Sequence, residues 1–262
     1  TEVVANQILH KGDVFTWNRS PWLEPAIPIN WEILFDNGDL VVIDKPAGLP
    51  VCPGGGFIKH TLIEQLKSIS EDSKPNNYPK PVHRLGRFTS GILICAREKE
   101  TRKNLSAQFR QKQNPLKRIY LALANPNINL LKDQTIKIKT PISKQFHPYL
   151  TYLWNINMHP ENQSKEFEAL TEVSLIERRK NLDLLKIQIS TGRPHQIRIH
   201  LASIGTPLIG DPLYKENGEI NQYILPGEGG YYLHAHKISK IKFLNKIYSF
   251  KSKTPKIFTT DQ

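Results

Sequence analysis

The chain has 262 residues, 39% of them hydrophobic and 23% charged, enough to build a full core in one large domain or two small ones. Lys plus Arg number 36 against 24 Asp plus Glu, a formal charge of +12, and a protein this basic typically meets a polyanion, of which nucleic acid is the commonest. No apolar run reaches the roughly 20 residues that span a bilayer, and neither a secretory signal nor a basic amphipathic membrane helix stands out.

Residues 1–30 hold a polar turn, HKGD, and a proline-punctuated connector, SPWLEPAIPIN, with nothing that could bury a core. From Trp31 the pattern tightens. DLVVID reads as a short buried strand, closed by KPAGLPV and the glycine turn PGGGF. Leu62, Leu66 and Ile69 recur at helical spacing in TLIEQLKSIS. The loop KPNNYPKP then leads into PVHRLGRFTSGILICAR, Pro81 to Arg97, where a basic loop runs into an apolar strand. Loops fixed by a rigid strand often carry chemistry, yet Gly86 at the centre of this one has no side chain. Cys95 in the strand is expected in the core, and with Cys52 it suggests reduced thiols in a cytosol-like compartment.

EKETRKNLSAQFRQKQ follows as an exposed basic helix with Leu105 and Phe109 turned inward. KRIYLALA and TIKIKT alternate as strands, whereas residues 141–165, with Tyr149, Tyr152 and Trp154, read as a long irregular insertion. LLKIQIS is a strand with Leu185, Ile187 and Ile189 on one face. In TGRPHQIRIHLASIG a strand end gives way to a helix, with Pro194 in its first turn and Gly205 at its stop. Ile197, Leu201 and Ile204 form its core stripe, so His195 and Arg198 share another face. With Arg193 they make a cationic cluster suited to a phosphate or a carboxylate. YYLHAHKISKIKFLNKIYSFKS supplies further strands with a tight turn at Leu244-Asn245-Lys246. Strands dominate without strict βαβ alternation, which predicts an α+β fold.

Several chemistries are excluded. HQIRIH lacks the Glu of a zinc-protease helix, PGGGF lacks the Lys-Ser/Thr of a phosphate loop, and no G-x-S-x-G elbow surrounds the serine of TSG. No metal or organic cofactor is expected.

WEILFDNGDLVVIDKPAGLPVCPGGG, HRLGRFTSGILICAR, KRIYLALA, TGRPHQIRIHLASIGTPLIGDPLY and LHAHKISKIKF fall in the order and at the spacing of RluA-type pseudouridine synthases. The resemblance runs from about Trp31 to the end, with only residues 141–165 poorly covered. It implies a pseudouridine synthase domain over 31–262, built on a large mixed, mostly antiparallel sheet with a basic cleft, and it makes 1–30 a connector, the tail of an absent or truncated RNA-binding domain. It also implies a cofactor-free isomerase. Such enzymes flip a uridine out of a ribosomal or transfer RNA stem-loop, break its N-glycosidic bond and rejoin the uracil through carbon 5. A monomer in the cytoplasm, or in an organelle of bacterial origin, is the matching expectation, with no membrane partner.

The same resemblance assigns residues. The family's motif reads His-Arg-Leu-Asp with a catalytic aspartate, and here His83, Arg84 and Leu85 match while Gly86 stands at the aspartate's place. Tyr120 corresponds to the active-site tyrosine that packs on the uracil, and Arg198 to the arginine that pairs with the aspartate. His83, Arg84, Arg87, Thr89, Arg193 and His195 are the expected RNA contacts. Without an aspartate at 86, Arg198 needs another partner, because an isolated buried guanidinium is costly. Three readings stay open: an active isomerase using another carboxylate, for which Asp44 and Asp211 are nearest by motif; a silent RNA-binding relative; or a glycine introduced to trap substrate.

Overall fold

The structure, a computed structural model, describes residues 6–259 apart from 9, 15, 17–21, 70–76, 112, 114, 148, 158–163 and 226. Parts of the expected connector and of the KPNNYPKP loop therefore lie outside the described residues. Strands β1 (Glu32–Asp36) and β2 (Leu40–Lys45) open the fold as a hairpin. Its turn is closed by Asp36 and Asn37, whose side chains accept from the N–H groups of Gly38, Asp39 and Leu40. Helix α1 (Leu62–Ser68) starts at Thr61, whose hydroxyl accepts from the Glu64 N–H, and buries Leu62 and Leu66. Strand β3 (Lys80–Pro81) and the eight-residue β4 (Thr89–Ala96) flank the basic loop, and β4 is buried almost throughout.

Helix α2 (Lys99–Arg110) keeps Leu105 buried and rests Phe109 on the same cluster, as its spacing predicted. Then come β5 (Lys117–Ala124), β6 (Thr135–Ile138), β10 (Thr171–Arg179), β11 (Leu182–Ile189), helix α3 (Gln196–Ser203), β12 (Leu233–Phe243) and β13 (Lys246–Lys251). The main sheet has the order β1-β2-β4-β12-β5-β11-β10-β6, with β13 beside β12 and β3 beside β4. Its strand pairings are antiparallel except β4 with β12. The β12–β13 hairpin turns through Leu244 and Asn245, both at positive φ (45° and 59°), as the tight turn required. The fold is the expected α+β architecture.

Residues 141–165 differ from the irregular insertion read in the sequence. They hold β7 (Ile142–His147) and β8 (Thr151–Ile156), which with β9 (Glu166–Phe167) make a separate three-stranded sheet. Its outer face is aromatic and basic, with the Lys144 ammonium 3.7 Å from the Tyr152 ring centroid, while Leu153 and Asn155 point inward. Exposed aromatics on one face and a buried amide on the other obscured the period-two signal. Helix α3 is buried on every side from Gln196 to Ala202, so the face that carries Arg198 is enclosed along with the apolar stripe. Gln196 and His200 are satisfied inside the protein: both reach the Thr171 hydroxyl, Gln196 also bonds Thr191, Arg193 and Leu170, and His200 also bonds the Thr140 carbonyl.

One lysine ties the basic loop to the sheet. Lys45 ends β2, is 1% exposed, and donates to the carbonyls of Pro46, Leu49 and Arg87 at 2.9, 2.8 and 3.0 Å. Burial pulls its pKa down to about 7. Lys45→Met removes the donor shared by three carbonyls and should destabilise the fold by at least ~1–3 kcal/mol. A lowered urea midpoint would show this, and an unchanged one would mean the loop is anchored otherwise.

Candidate active site

Parallel pairing aligns the starting ends of β4 and β12, with Leu233 opposite Thr89 and Ala235 opposite Gly91. Only glycine fits at 91: its φ is +99°, and a Cβ there would fall 2.3 Å from the Ala235 carbonyl oxygen. The loop leading into β4 (residues 82–88) and the segment leading into β12 (Tyr231, Tyr232) thereby meet at one edge. Strand β5 lies on the far side of β12, with Tyr120 opposite Ala235. The start of α3 closes the remaining side. Between them is a cavity of about 290 Å³, lined among others by Arg84, Gly86, Arg118, Tyr120, Arg198 and Tyr231.

Arg198 finds its partner in Asp211. Its Nε donates to Oδ2 at 2.6 Å and its Nη2 to Oδ1 at 2.7 Å, with the side chains only 4% and 1% exposed. Asp211 Oδ1 also accepts from the N–H groups of Leu213 and Tyr214. Burial opposes the charge on Arg198, but the Asp211 hydrogen bonds and charge outweigh it and raise its pKa. The guanidinium lies between two rings, 4.5 Å from the centroid of Tyr231 and 4.9 Å from that of Tyr214. Asp211 therefore serves Arg198 from behind and is absent from the cavity lining. Asp44 is farther removed. It accepts from Ser252 at 2.6 Å and lines a different cavity, of about 470 Å³, with its pKa raised by burial. Among the described residues lining the first cavity there is no Asp or Glu.

The expected RNA contacts divide into two groups. Arg84 is exposed at the cavity mouth, and Arg193 borders it while donating through Nε to the Glu168 carbonyl. Thr89 is buried, with its hydroxyl 3.3 Å from that of Tyr231. Arg87 is used internally: it donates to the carbonyls of Gly48 and Gly227 and stacks on Phe57 and Phe88, outside the cavity lining. His83 lines the cavity, but its Nε2 accepts from the Ile94 N–H and its ring stacks on Phe109. Burial, then the Arg118 charge, pushes its pKa down to about 3. His195 starts α3 in a left-handed conformation (φ 56°), which only the surrounding packing can sustain. The Tyr214 hydroxyl donates to the Trp154 carbonyl, so the 2.8 Å contact at His195 Nδ1 is donated by the imidazole. Burial and the charges of Arg198 and Arg84 bring its pKa to about 3 as well.

Arg118 and Tyr231 are among the lining residues that sequence reasoning missed. Arg118 is two positions before Tyr120 on β5, hence on the same face, a period-two signal that KRIY already carried. It is 7% exposed; its Nη2 donates to the Ser190 carbonyl, and its buried Nε has no hydrogen-bond partner. Burial lowers its pKa, while burial raises that of Tyr120 against the pull of Arg118. Tyr231 is 7% exposed, and nothing in GGYYLHA marked it out.

Two measurements test this electrostatic reading. Asp211→Asn leaves Arg198 buried without its counter-charge and should cost ~3–5 kcal/mol in chemical denaturation; a loss under about 1 kcal/mol would show that the pair is solvated. The second is acid sensitivity. His83, His195 and His234 have folded pKa values lowered to about 3, 3 and 4, below the unfolded value of 6.5. The unfolded chain then binds more protons between these limits, so stability is fully present above about 6.5 and falls progressively as the pH drops toward 3–4. Flat stability from pH 7 to 5 would contradict neutral buried imidazoles.

The family model described as RNA pseudouridylate synthase matches residues 39–203. RNA pseudouridine synthase 5 of Arabidopsis thaliana is 34% identical over 97% of this chain and 80% of its own length. Ribosomal large subunit pseudouridine synthase D of Nitrosomonas europaea is 37% identical over 72% of this chain and 50% of its own. Among solved structures, human RNA pseudouridylate synthase domain containing 1 superposes with a TM-score of 0.65 at 21% identity, covering 89% of this chain and 87% of that one, a likeness of fold. The loop leading into β4, Tyr120 and Arg198 all fall inside the matched segment, and the chain belongs to the RNA pseudouridylate synthase family.

Proposed function

We propose that the protein is an RNA pseudouridine synthase that isomerises a uridine of a structured RNA, ribosomal or transfer RNA, to pseudouridine. The observation that carries this reading is the cavity between β4, β5, β12 and α3, where Tyr120 and Arg198 converge with the cationic rim of Arg84 and Arg193. A flipped base has a π face for Tyr120 to stack on, and the arginines suit its flanking phosphates. Kinship to a ribosomal large subunit enzyme supports ribosomal RNA, with transfer RNA as the other target class. In this reading Gly86 stands at the family's aspartate, the catalytic domain spans 31–262, and the protein works as a cofactor-free monomer. Relatives in bacteria and plants support cytoplasm or an organelle of bacterial origin, and among the described residues no helix could cross a membrane.

A second reading, a silent RNA-binding relative, draws on the missing carboxylate in the cavity lining. The two separate in one experiment: incubate the protein with total RNA and map pseudouridine. New sites are expected; binding without product would favour the silent relative. Affinity should be electrostatic in either case, with log K falling by ~0.7 per neutralised phosphate for each unit of log salt on single strands. Affinity insensitive to salt would remove the RNA reading altogether.

A further inference from the structure

Position 86 has no side chain, but the space a side chain would fill there is occupied. A Cβ built on Gly86 would lie 2.2 Å from the Tyr231 hydroxyl oxygen, with Thr89 Oγ1 next at 3.4 Å. The phenol of Tyr231, reaching in from the β12 side, thus delivers its oxygen to the spot from which the β4 loop would project a functional group. Its ring lies under the Arg198 guanidinium, and both residues line the cavity.

The other lining groups that could attack carbon or carry a proton are committed or poorly suited. Ser106 donates to the Val82 carbonyl, His83 Nε2 is taken by the Ile94 N–H, and His195 Nδ1 is held by Tyr214. Thr89 carries an aliphatic hydroxyl, a weaker acid than a phenol, and it lies 3.3 Å from the Tyr231 hydroxyl. Tyr120 lies one strand away on β5 beside Arg118. With no Asp or Glu among the described lining residues, the phenol at the mouth of β12 is the group left at that place.

We propose that Tyr231 is the catalytic residue that takes the glycosidic carbon, its hydroxyl acting from the place that Gly86 leaves empty. The proposal rests on the isomerase reading above. Tyrosine serves as the nucleophile at a glycosidic carbon in some glycosidases, so the chemistry is within its range. The Oη–C1′ bond forms as C1′–N1 breaks. N1 keeps the bonding pair and receives the phenolic proton, so uracil leaves neutral. After the ring turns, C5 attacks C1′, the C1′–Oη pair returns to the tyrosine oxygen, and the C5 proton restores the phenol. The sum is uridine to pseudouridine, with N1 gaining the hydrogen that C5 loses and no other reactant consumed. The nearby guanidinium favours the negative charge that develops on the oxygen in the second step, as the C1′–Oη pair returns to it.

The test compares wild type, Tyr231→Phe and the double variant Gly86→Asp with Tyr231→Phe, measuring single-turnover pseudouridine formation, RNA affinity and melting temperature for each. Removing the Tyr231 oxygen leaves its Cζ 3.6 Å from a Cβ at 86, ordinary contact, so in the double variant the Cβ of the new aspartate no longer meets the phenol oxygen. An active wild type, a Tyr231→Phe rate lower by roughly 10⁴-fold at unchanged affinity and melting, and recovery in the double variant would support the proposal. A Tyr231→Phe protein within about tenfold of wild type would overturn it while leaving the isomerase reading intact. An inactive wild type with an active double variant would also overturn it and keep the pocket as a uridine site. If all three bind RNA and make no pseudouridine, the isomerase reading falls too.

Discussion

The parallel pairing of β4 with β12 is the constraint on which the site depends. In an antiparallel pair, the start of one strand faces the end of its neighbour, so the loops leading into the two strands lie at opposite ends. Parallel pairing puts both incoming loops at one end of the sheet, and here that brings the loop after His83 against Tyr231. The pairing demands a close backbone approach at Gly91, where a Cβ would collide with the Ala235 carbonyl. Lys45 then fixes the β4 loop from below through the Arg87 carbonyl. A register shift of one residue in β12 would turn Leu233 and Ala235 out of the core and move Tyr231 away from Gly86.

Around this junction the two buried arginines are handled in opposite ways. Arg198 is neutralised by a bidentate carboxylate whose remaining lone pairs take backbone N–H groups, so it is a fixed dipole rather than an uncompensated charge. Arg118 is held by a backbone carbonyl and keeps a buried Nε without a partner. A guanidinium stripped of water in this way is strongly disposed toward an incoming anion, and a nucleotide moving into the cavity brings one. The nearby cavity of about 600 Å³, which shares Phe109, Arg110, Gly192 and Arg193 with the first, extends the same cationic lining along the surface.

Much of this was legible in the sequence. Strand alternation in LLKIQIS, the helical spacing of Leu105 and Phe109 and the turn at Leu244–Asn245 each express a local rule, and the structure follows them. The α+β class followed from the order of such elements. What escaped was non-local. The hairpin of β7 and β8 carries aromatics on its exposed face, so its period pointed no hydrophobic stripe inward. Helix α3 is enclosed by two sheets, and only tertiary packing could turn Arg198 on one side and His200 on another into buried, bonded groups. Arg87 and His83, basic residues in a motif loop, read as ligand contacts; their backbone partners, far away in sequence or one strand over, are invisible to spacing.

The Gly86–Tyr231 contact is the sharpest case of such non-local information. Along the chain, position 86 carries no side chain; across the β4–β12 junction, the space beside it holds the Tyr231 hydroxyl, supplied from 145 residues further on. The two positions are coupled sterically, because any side chain at 86 requires the Tyr231 oxygen to leave, and Tyr231 is 7% exposed with Phe88 against its ring and Arg198 over its face. A close-packed interior transmits that constraint with little slack. The residue that leads into one parallel strand can therefore fill the space that a loop glycine leaves beside the start of its neighbour.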